Sequence, residues 1–130
     1  MISGSCLCGA VRFSIDGRLR SVRCCYCSNC RKFSGTSPAT WAMAETQKLR
    51  VASGSTQVAR FNSGGGIRCF CGTCGSPVWF ESLDHPEIVG IPLGVLDDGE
   101  IPSPEMHLWV QSKPQWCAIN DHLPQHQQGP

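Results

Sequence analysis

The chain has 130 residues, a length typical of one domain, and its 41% of apolar residues is too high for an intrinsically disordered protein. Lys and Arg number 11 and Asp and Glu number 10, which argues against non-specific nucleic-acid binding because that requires a basic surface. The longest uncharged apolar stretch, residues 88–96, is far shorter than the roughly 20 residues that span a bilayer.

The first six residues contain neither a basic start nor an apolar segment, so we expect no secretory signal. A chain without such a signal is expected in the cytoplasm, where thiols are kept reduced. This expectation decides how the cysteines below are interpreted.

Short strands separated by turn residues are predicted along the whole chain, and no long stretch has the 3.6-residue period of a helix. Hydrophobic alternation and turn signals predict strands at residues 11–15, 40–44, 58–61, 67–71, 77–81 and 87–91. The third and fourth of these form a predicted hairpin around the intervening glycines. The large side chains of Trp41, Trp79 and Trp116 are expected in the core of this small domain.

One short helix is predicted at residues 28–34, beginning at a Ser28 cap. Residues 92–106 are rich in Pro, Gly and acidic side chains and predict an irregular loop. The predicted class is therefore all-β, with one domain over residues 1–124. A polar, frayed tail is predicted at residues 125–130.

Ten cysteines in 130 residues require a chemical explanation. Eight of them fall into three tight clusters, which are Cys6-x-Cys8, Cys25-x-Cys27-x-x-Cys30 and Cys69-x-Cys71-x-x-Cys74. Clusters this tight are unlike a scaffold of disulfide bridges, and a reducing compartment also disfavours bridges. The pattern therefore predicts metal binding.

An all-thiolate ligand set selects zinc or an iron–sulfur cluster over hard cations. Common iron–sulfur runs place three or more cysteines two or four residues apart in one stretch, and this chain has no such run. Zinc is therefore predicted. Spacing alone leaves two arrangements open, namely two closed four-thiolate sites, or one closed site and one three-thiolate site with an open position.

The order of these clusters resembles the glutathione-dependent formaldehyde-activating family, whose members have a zinc-bearing β-tent fold. The segments that carry the resemblance are residues 4–13, 25–32, 68–76, 94–98 and 120–124, together with Gly35, His107 and Trp116. Several cysteine clusters in one order make this resemblance more specific than a single Cys-x-x-Cys. It extends over almost the whole chain.

The resemblance implies a division of the ligands between two zinc ions. A closed structural zinc is implied at Cys6, Cys8, Cys71 and Cys74. A second zinc with an open position is implied at the catalytic residues Cys25, Cys27 and Cys30. The implied activity is that of a carbon–sulfur lyase, which adds a small thiol such as glutathione to formaldehyde or a related aldehyde. The alternatives are a non-catalytic zinc-stabilised binding module and a zinc enzyme that acts on another thiol adduct.

The sequence departs from the family at two positions. Tyr26 stands where the family commonly has His. The replacement removes either an imidazole that carries protons or merely a surface side chain. Cys69 is additional to the family pattern, and it is either a fourth ligand of the second zinc or a small buried hydrophobe. Cys24 and Cys117 are expected to be buried hydrophobes.

Basic side chains flank the clusters, at Arg23, Arg31, Lys32 and Arg68. They either neutralise the zinc–thiolate charge and receive the carboxylates of glutathione, or are ordinary solvated charges. His107 is a candidate proton shuttle, and the simpler interpretation is a packed histidine.

Overall fold

The computed structural model describes residues 1–130. Its eleven strands are β1 Ile2–Ser5, β2 Arg12–Ile15, β3 Arg20–Cys25, β4 Ala39–Glu45, β5 Leu49–Ser53, β6 Val58–Asn62, β7 Gly66–Cys71, β8 Pro77–Ser82, β9 Ile88–Pro92, β10 Leu96–Asp98 and β11 Met106–Leu108. The helix α1 is Ser28–Ser34, and short 3-10 turns lie at Thr46–Lys48, Ser55–Gln57, Leu93–Val95 and Val110–Ser112. The predicted all-β class is confirmed. None of the helical segments has the length and apolar character needed to cross a membrane.

The strands form two sheets. One has the order β10-β1-β2-β5 and the other the order β11-β3-β4-β9-β8-β7-β6. All neighbouring strands are antiparallel except β3 and β11, which are parallel. The main core lies between the sheets, where the rings of Phe13 on β2 and Trp79 on β8 meet edge to face at 5.8 Å.

The six strands predicted from hydrophobic alternation are present as β2, β4, β6, β7, β8 and β9. The other five strands were not predicted because their local sequence does not indicate them. β3 contains a break in register between Arg20 and Arg23, which disturbs the alternation of its side chains. The prediction of an irregular loop at residues 92–106 is wrong in its first half, because β10 pairs with β1 there.

Helix α1 has the bounds that the sequence predicted, Ser28–Ser34, but its cap is a different residue. Its N-cap is Cys27, not Ser28, and the Cys27 Sγ accepts a hydrogen bond from the backbone N–H of Cys30 at 3.3 Å. The helix ends at Gly35, whose φ of 74° is the left-handed conformation favoured by glycine. The cap therefore places a cysteine sulfur at the first turn of the helix.

The expectation of a frayed C-terminal tail is wrong. The backbone N–H of Trp109 donates to the carbonyl of Gln128 at 3.0 Å, and that of His126 donates to the carbonyl of His107 at 2.9 Å. The segment therefore lies along β11 at the edge of the larger sheet. The domain boundary at residue 124 stays a prediction.

Two of the three tryptophans expected in the core are buried, Trp41 and Trp79. The third expectation is wrong, since Trp116 is 71% exposed. One of the largest apolar side chains of the chain is therefore in contact with solvent.

Replacement of Gly54 by alanine is expected to destabilise the protein by on the order of 3 kcal/mol. Gly54 has a φ of 78°, and a Cβ there would collide with the carbonyl oxygen of Ala10. Gly94→Ala is the matched control because a Cβ at Gly94 meets nothing within 4 Å. Urea denaturation measures both variants, and equal free energies of unfolding would contradict the expectation.

Candidate metal centres and the adjoining cavity

Four thiols from distant parts of the chain meet between the two sheets. Cys6 and Cys8 follow β1, Cys71 ends β7, and Cys74 lies in the next turn, with all four sulfurs within 4.8 Å of one another. The Cys8 Sγ lies 3.6 Å from the Cys6 Sγ and 3.8 Å from the Cys71 Sγ. A tetrahedral zinc requires sulfurs about 4 Å apart, so this group fits zinc.

Hydrogen-bond donors of the surrounding loops point at these sulfurs. The backbone N–H of Val11 donates to the Cys6 Sγ at 3.3 Å, and that of Thr73 donates to the Cys71 Sγ at 3.4 Å. The Ser76 hydroxyl, with its backbone N–H, lowers the pKa of Cys74 to about 5. Donors of this kind stabilise the thiolate form, which is the form that binds metal.

A second group consists of Cys25, Cys27 and Cys30, whose three sulfurs also lie within 4.8 Å of one another. Cys25 ends β3, and the other two belong to the cap and first turn of α1. Hydrogen bonds from the thiols of Cys25 and Cys30 lower the pKa of Cys27 to about 2. The group can therefore hold negative charge, and its three sulfurs form one side of a coordination shell.

Arg68 is the cation nearest to this three-cysteine group. It is only 7% exposed, and its Nη2 lies 3.9 Å from the Cys30 Sγ. Its guanidinium carbon lies 5.4 Å and 5.1 Å from the ring centroids of Phe33 and Phe80, respectively. No carboxylate forms an ion pair with it, and a buried cation requires compensating negative charge. Cys27, the one thiol of the group whose pKa is lowered, and lowered in part by the charge of Arg68, can supply that negative charge.

A cavity of about 230 Å³ adjoins the three cysteines. Its walls are mostly apolar, including Trp41, Phe80 and Trp109, and its charged lining residues are Arg23 and Arg68. Neither a carboxylate nor an imidazole lines it. Of the four basic residues that flank the clusters, Arg31 and Lys32 therefore lie outside this cavity.

Cys69 belongs to neither cysteine group. It is fully buried on β7, where its Sγ donates to Glu81 Oε2 at 3.5 Å. Burial, followed by the charge of Glu81, raises its pKa to about 12. Alternation along β7 directs Arg68 to the cavity and Cys69 to the opposite face, so Cys69 does not close the second group. Cys24 and Cys117 are buried as expected.

A chain of polar groups, which the sequence did not indicate, runs from the buried Tyr26 and His107 to the exposed Asp121. The Tyr26 hydroxyl lies 2.9 Å from His107 Nδ1, and His107 Nε2 lies 2.9 Å from Asp121 Oδ1. Tyr26 is 2% exposed and His107 is 3% exposed, and neither lines the cavity. His107 is therefore a packed histidine bonded at both ring nitrogens.

Comparison with known proteins adds three findings. The family model described as "Glutathione-dependent formaldehyde-activating enzyme" matches residues 1–112. A Halomonas elongata protein named "Putative glutathione-dependent formaldehyde-activating enzyme" is 30% identical over 128 residues, covering 92% of this chain and 81% of the relative. A Rhodobacter sphaeroides protein of known crystal structure has a TM-score of 0.63 and 28% identity, covering 75% of this chain and 90% of that one.

Cys74→Ala is expected to remove one zinc per chain and to lower the free energy of unfolding by several kcal/mol, because structural zinc contributes folding free energy directly. Cys69→Ala is the control, since it removes a buried thiol from the same strand-and-turn region without touching either group. Zinc analysis with thermal denaturation measures both. A Cys74→Ala protein that keeps its metal and its melting temperature would contradict the assignment of Cys74 as a ligand.

Tyr26→Phe is expected to lower the free energy of unfolding by about 1–3 kcal/mol, because it leaves the buried His107 Nδ1 without a partner. Asp121→Asn is expected to lower the free energy of unfolding less, since the Asp121 side chain is 49% exposed and water can replace it. Chemical denaturation gives the order of the two effects. If Asp121→Asn were the more destabilising variant, the Tyr26 hydroxyl would not be the more stabilising partner of His107.

Proposed function

The chain belongs to the glutathione-dependent formaldehyde-activating enzyme family, and on that premise we propose that it adds a thiol to formaldehyde or a related small aldehyde. Glutathione is the proposed thiol, and the S-hydroxymethyl adduct is the proposed product. The reaction forms a carbon–sulfur bond and is the reverse of a carbon–sulfur lyase reaction.

The observation that carries this proposal is the position of the three-cysteine group. Cys25, Cys27 and Cys30 line an apolar cavity, whereas the four-cysteine group adjoins the main core between the sheets. A metal that has three protein ligands beside a cavity can receive a further ligand, and one with four protein ligands cannot.

Both groups fit zinc, because their sulfurs have the spacing of a thiolate shell and every cysteine is free. The proposed ligands of a closed structural zinc are Cys6, Cys8, Cys71 and Cys74. The proposed ligands of the second zinc are Cys25, Cys27 and Cys30. When bound at the second group, zinc supplies an open position at which an incoming thiol is held in its deprotonated form.

The protein side chains prepare the cavity for this chemistry. Arg68 provides positive charge beside Cys30 and reduces the cost of accumulating thiolates there. The apolar walls exclude water, which strengthens electrostatic interactions inside the cavity. With a volume of about 230 Å³, smaller than the usual 300–1,000 Å³ of small-molecule sites, the cavity fits the reacting ends of the substrates.

In the proposed addition, the thiol loses its proton to water and its sulfur donates an electron pair to the carbonyl carbon. The carbon–oxygen π bond breaks, and the resulting alkoxide takes a proton from water, so that the protons balance. No carboxylate or imidazole lines the cavity, and Arg68, whose guanidinium lies beside Cys30, is the charged donor proposed for the oxygen. A free thiol is already a few per cent ionised at neutral pH. Most of the rate enhancement must therefore come from holding thiol and aldehyde together.

The test is NMR with labelled formaldehyde and glutathione, in which the rate of adduct formation is measured with and without the zinc-loaded protein. We expect Cys30→Ser to lower the protein-dependent rate at least about 100-fold, because the reacting groups lose their alignment. Cys117→Ser is the matched control. The Cys117 side chain is also buried, but it donates to the carbonyl of Ser37 outside the cavity.

Equal rates with and without the native protein would remove the enzyme proposal and leave a zinc-stabilised binding module. Acceleration with another thiol but not with glutathione would instead indicate a zinc enzyme for a different thiol adduct. A Cys30→Ser variant as fast as the Cys117→Ser control would exclude the three-cysteine group as the reaction site.

A further inference from the structure

Arg23 lines the same cavity as the three cysteines. It lies on β3 two residues before Cys25, and alternation along the strand directs both side chains to one face. Unlike Arg68, which is buried beside Cys30, Arg23 is partly exposed. An anion that enters from solvent can therefore reach its guanidinium.

An irregular stretch of β3 holds this guanidinium in place. Ser21 has a φ of 55°, which is uncommon for a residue other than glycine, and it lies within the break in register of β3. The Arg23 Nε donates to the Ser21 carbonyl at 3.0 Å, and the Arg23 Nη2 donates to the Ser21 Oγ at 2.7 Å. The backbone distortion thus supplies two acceptors to one edge of the arginine.

The rest of the guanidinium has no protein partner. A guanidinium has five N–H donors, and those bonded to Ser21 account for two of them. None of the ion pairs of the chain includes Arg23. An arginine fixed in this way presents a planar pair of donors, which matches the geometry of a carboxylate.

We propose that Arg23 binds a carboxylate of the thiol substrate, so that the cavity selects carboxylate-bearing thiols over neutral ones. This inference rests on the proposed function, since it assumes that the substrate sulfur lies at Cys25, Cys27 and Cys30. Residues two apart on a strand are separated by about 6.4–6.8 Å. A carboxylate a few bonds from the sulfur, as in the cysteinyl-glycine part of glutathione, spans that distance.

Arg23 is the best placed of the basic residues for this role. Arg31 and Lys32 do not line the cavity, and Arg68 is buried against Cys30 between two aromatic rings. No acidic side chain in the cavity competes for Arg23 or repels an incoming carboxylate.

The inference is tested by calorimetric binding of 3-mercaptopropionate and of its methyl ester to the zinc-loaded protein. The two thiols differ only in the carboxylate. We expect Arg23→Gln to raise the Kd of the acid about 10- to 100-fold and to change that of the ester less than about twofold. Comparing variant with native protein for each thiol cancels the intrinsic difference between their sulfurs.

Two further variants complete the test. Ser21→Gly removes the hydroxyl that holds Arg23, and glycine adopts the left-handed φ without strain. This variant is expected to raise the Kd of the acid about 3- to 10-fold and to leave that of the ester unchanged. Arg18→Gln removes an exposed arginine outside the cavity and is expected to change neither Kd.

The carboxylate site would be overturned if both Arg23→Gln and Ser21→Gly bound the acid as the native protein does. It would also be overturned if both variants lost equal affinity for the acid and the ester. Thiol binding would stand in either case. Failure of the native protein to bind either thiol would overturn the proposed function together with this inference.

Discussion

The structure depends on keeping two groups of sulfur atoms, four in one and three in the other, close together within each group without bonds between them. Thiols at 3.6–3.8 Å are too far apart for a disulfide, and their thiolates repel one another in a partly buried position. A divalent cation removes this repulsion and converts it into attraction. The loops after β1 and β7 supply three of these sulfurs, those of Cys6, Cys8 and Cys74, and the end of β7 supplies that of Cys71.

The two cysteine groups have different relations to the fold. The four-cysteine group joins β1 of the smaller sheet to β7 of the larger one, so its loss separates structures that are distant in sequence. The three-cysteine group spans only Cys25 to Cys30, at the end of β3 and the start of α1, and joins no two sheets. A mutation in the first group is therefore expected to disturb folding, and one in the second to disturb the cavity.

The sequence predicted those parts of the protein that are encoded locally. Alternation identified β2, β4 and the hairpin of β6 and β7, and the cysteine spacing, with the family resemblance, identified both groups. It did not identify the polar chain of Tyr26, His107 and Asp121, because pairings across 81 and 14 residues leave no local pattern. The role of Ser21 in orienting Arg23 also depends on a strand irregularity that only the folded chain shows.

The contacts of His107 have a consequence for the timing of folding during synthesis. The cysteines of both groups are translated within the first 74 residues, but the support behind Cys25 and Cys27 needs β11 and Asp121. Those elements are translated after every cysteine of the two groups. The sulfurs proposed to bind metal are thus synthesised before Leu108 and Trp109, which add to the walls of the cavity beside Cys25, Cys27 and Cys30.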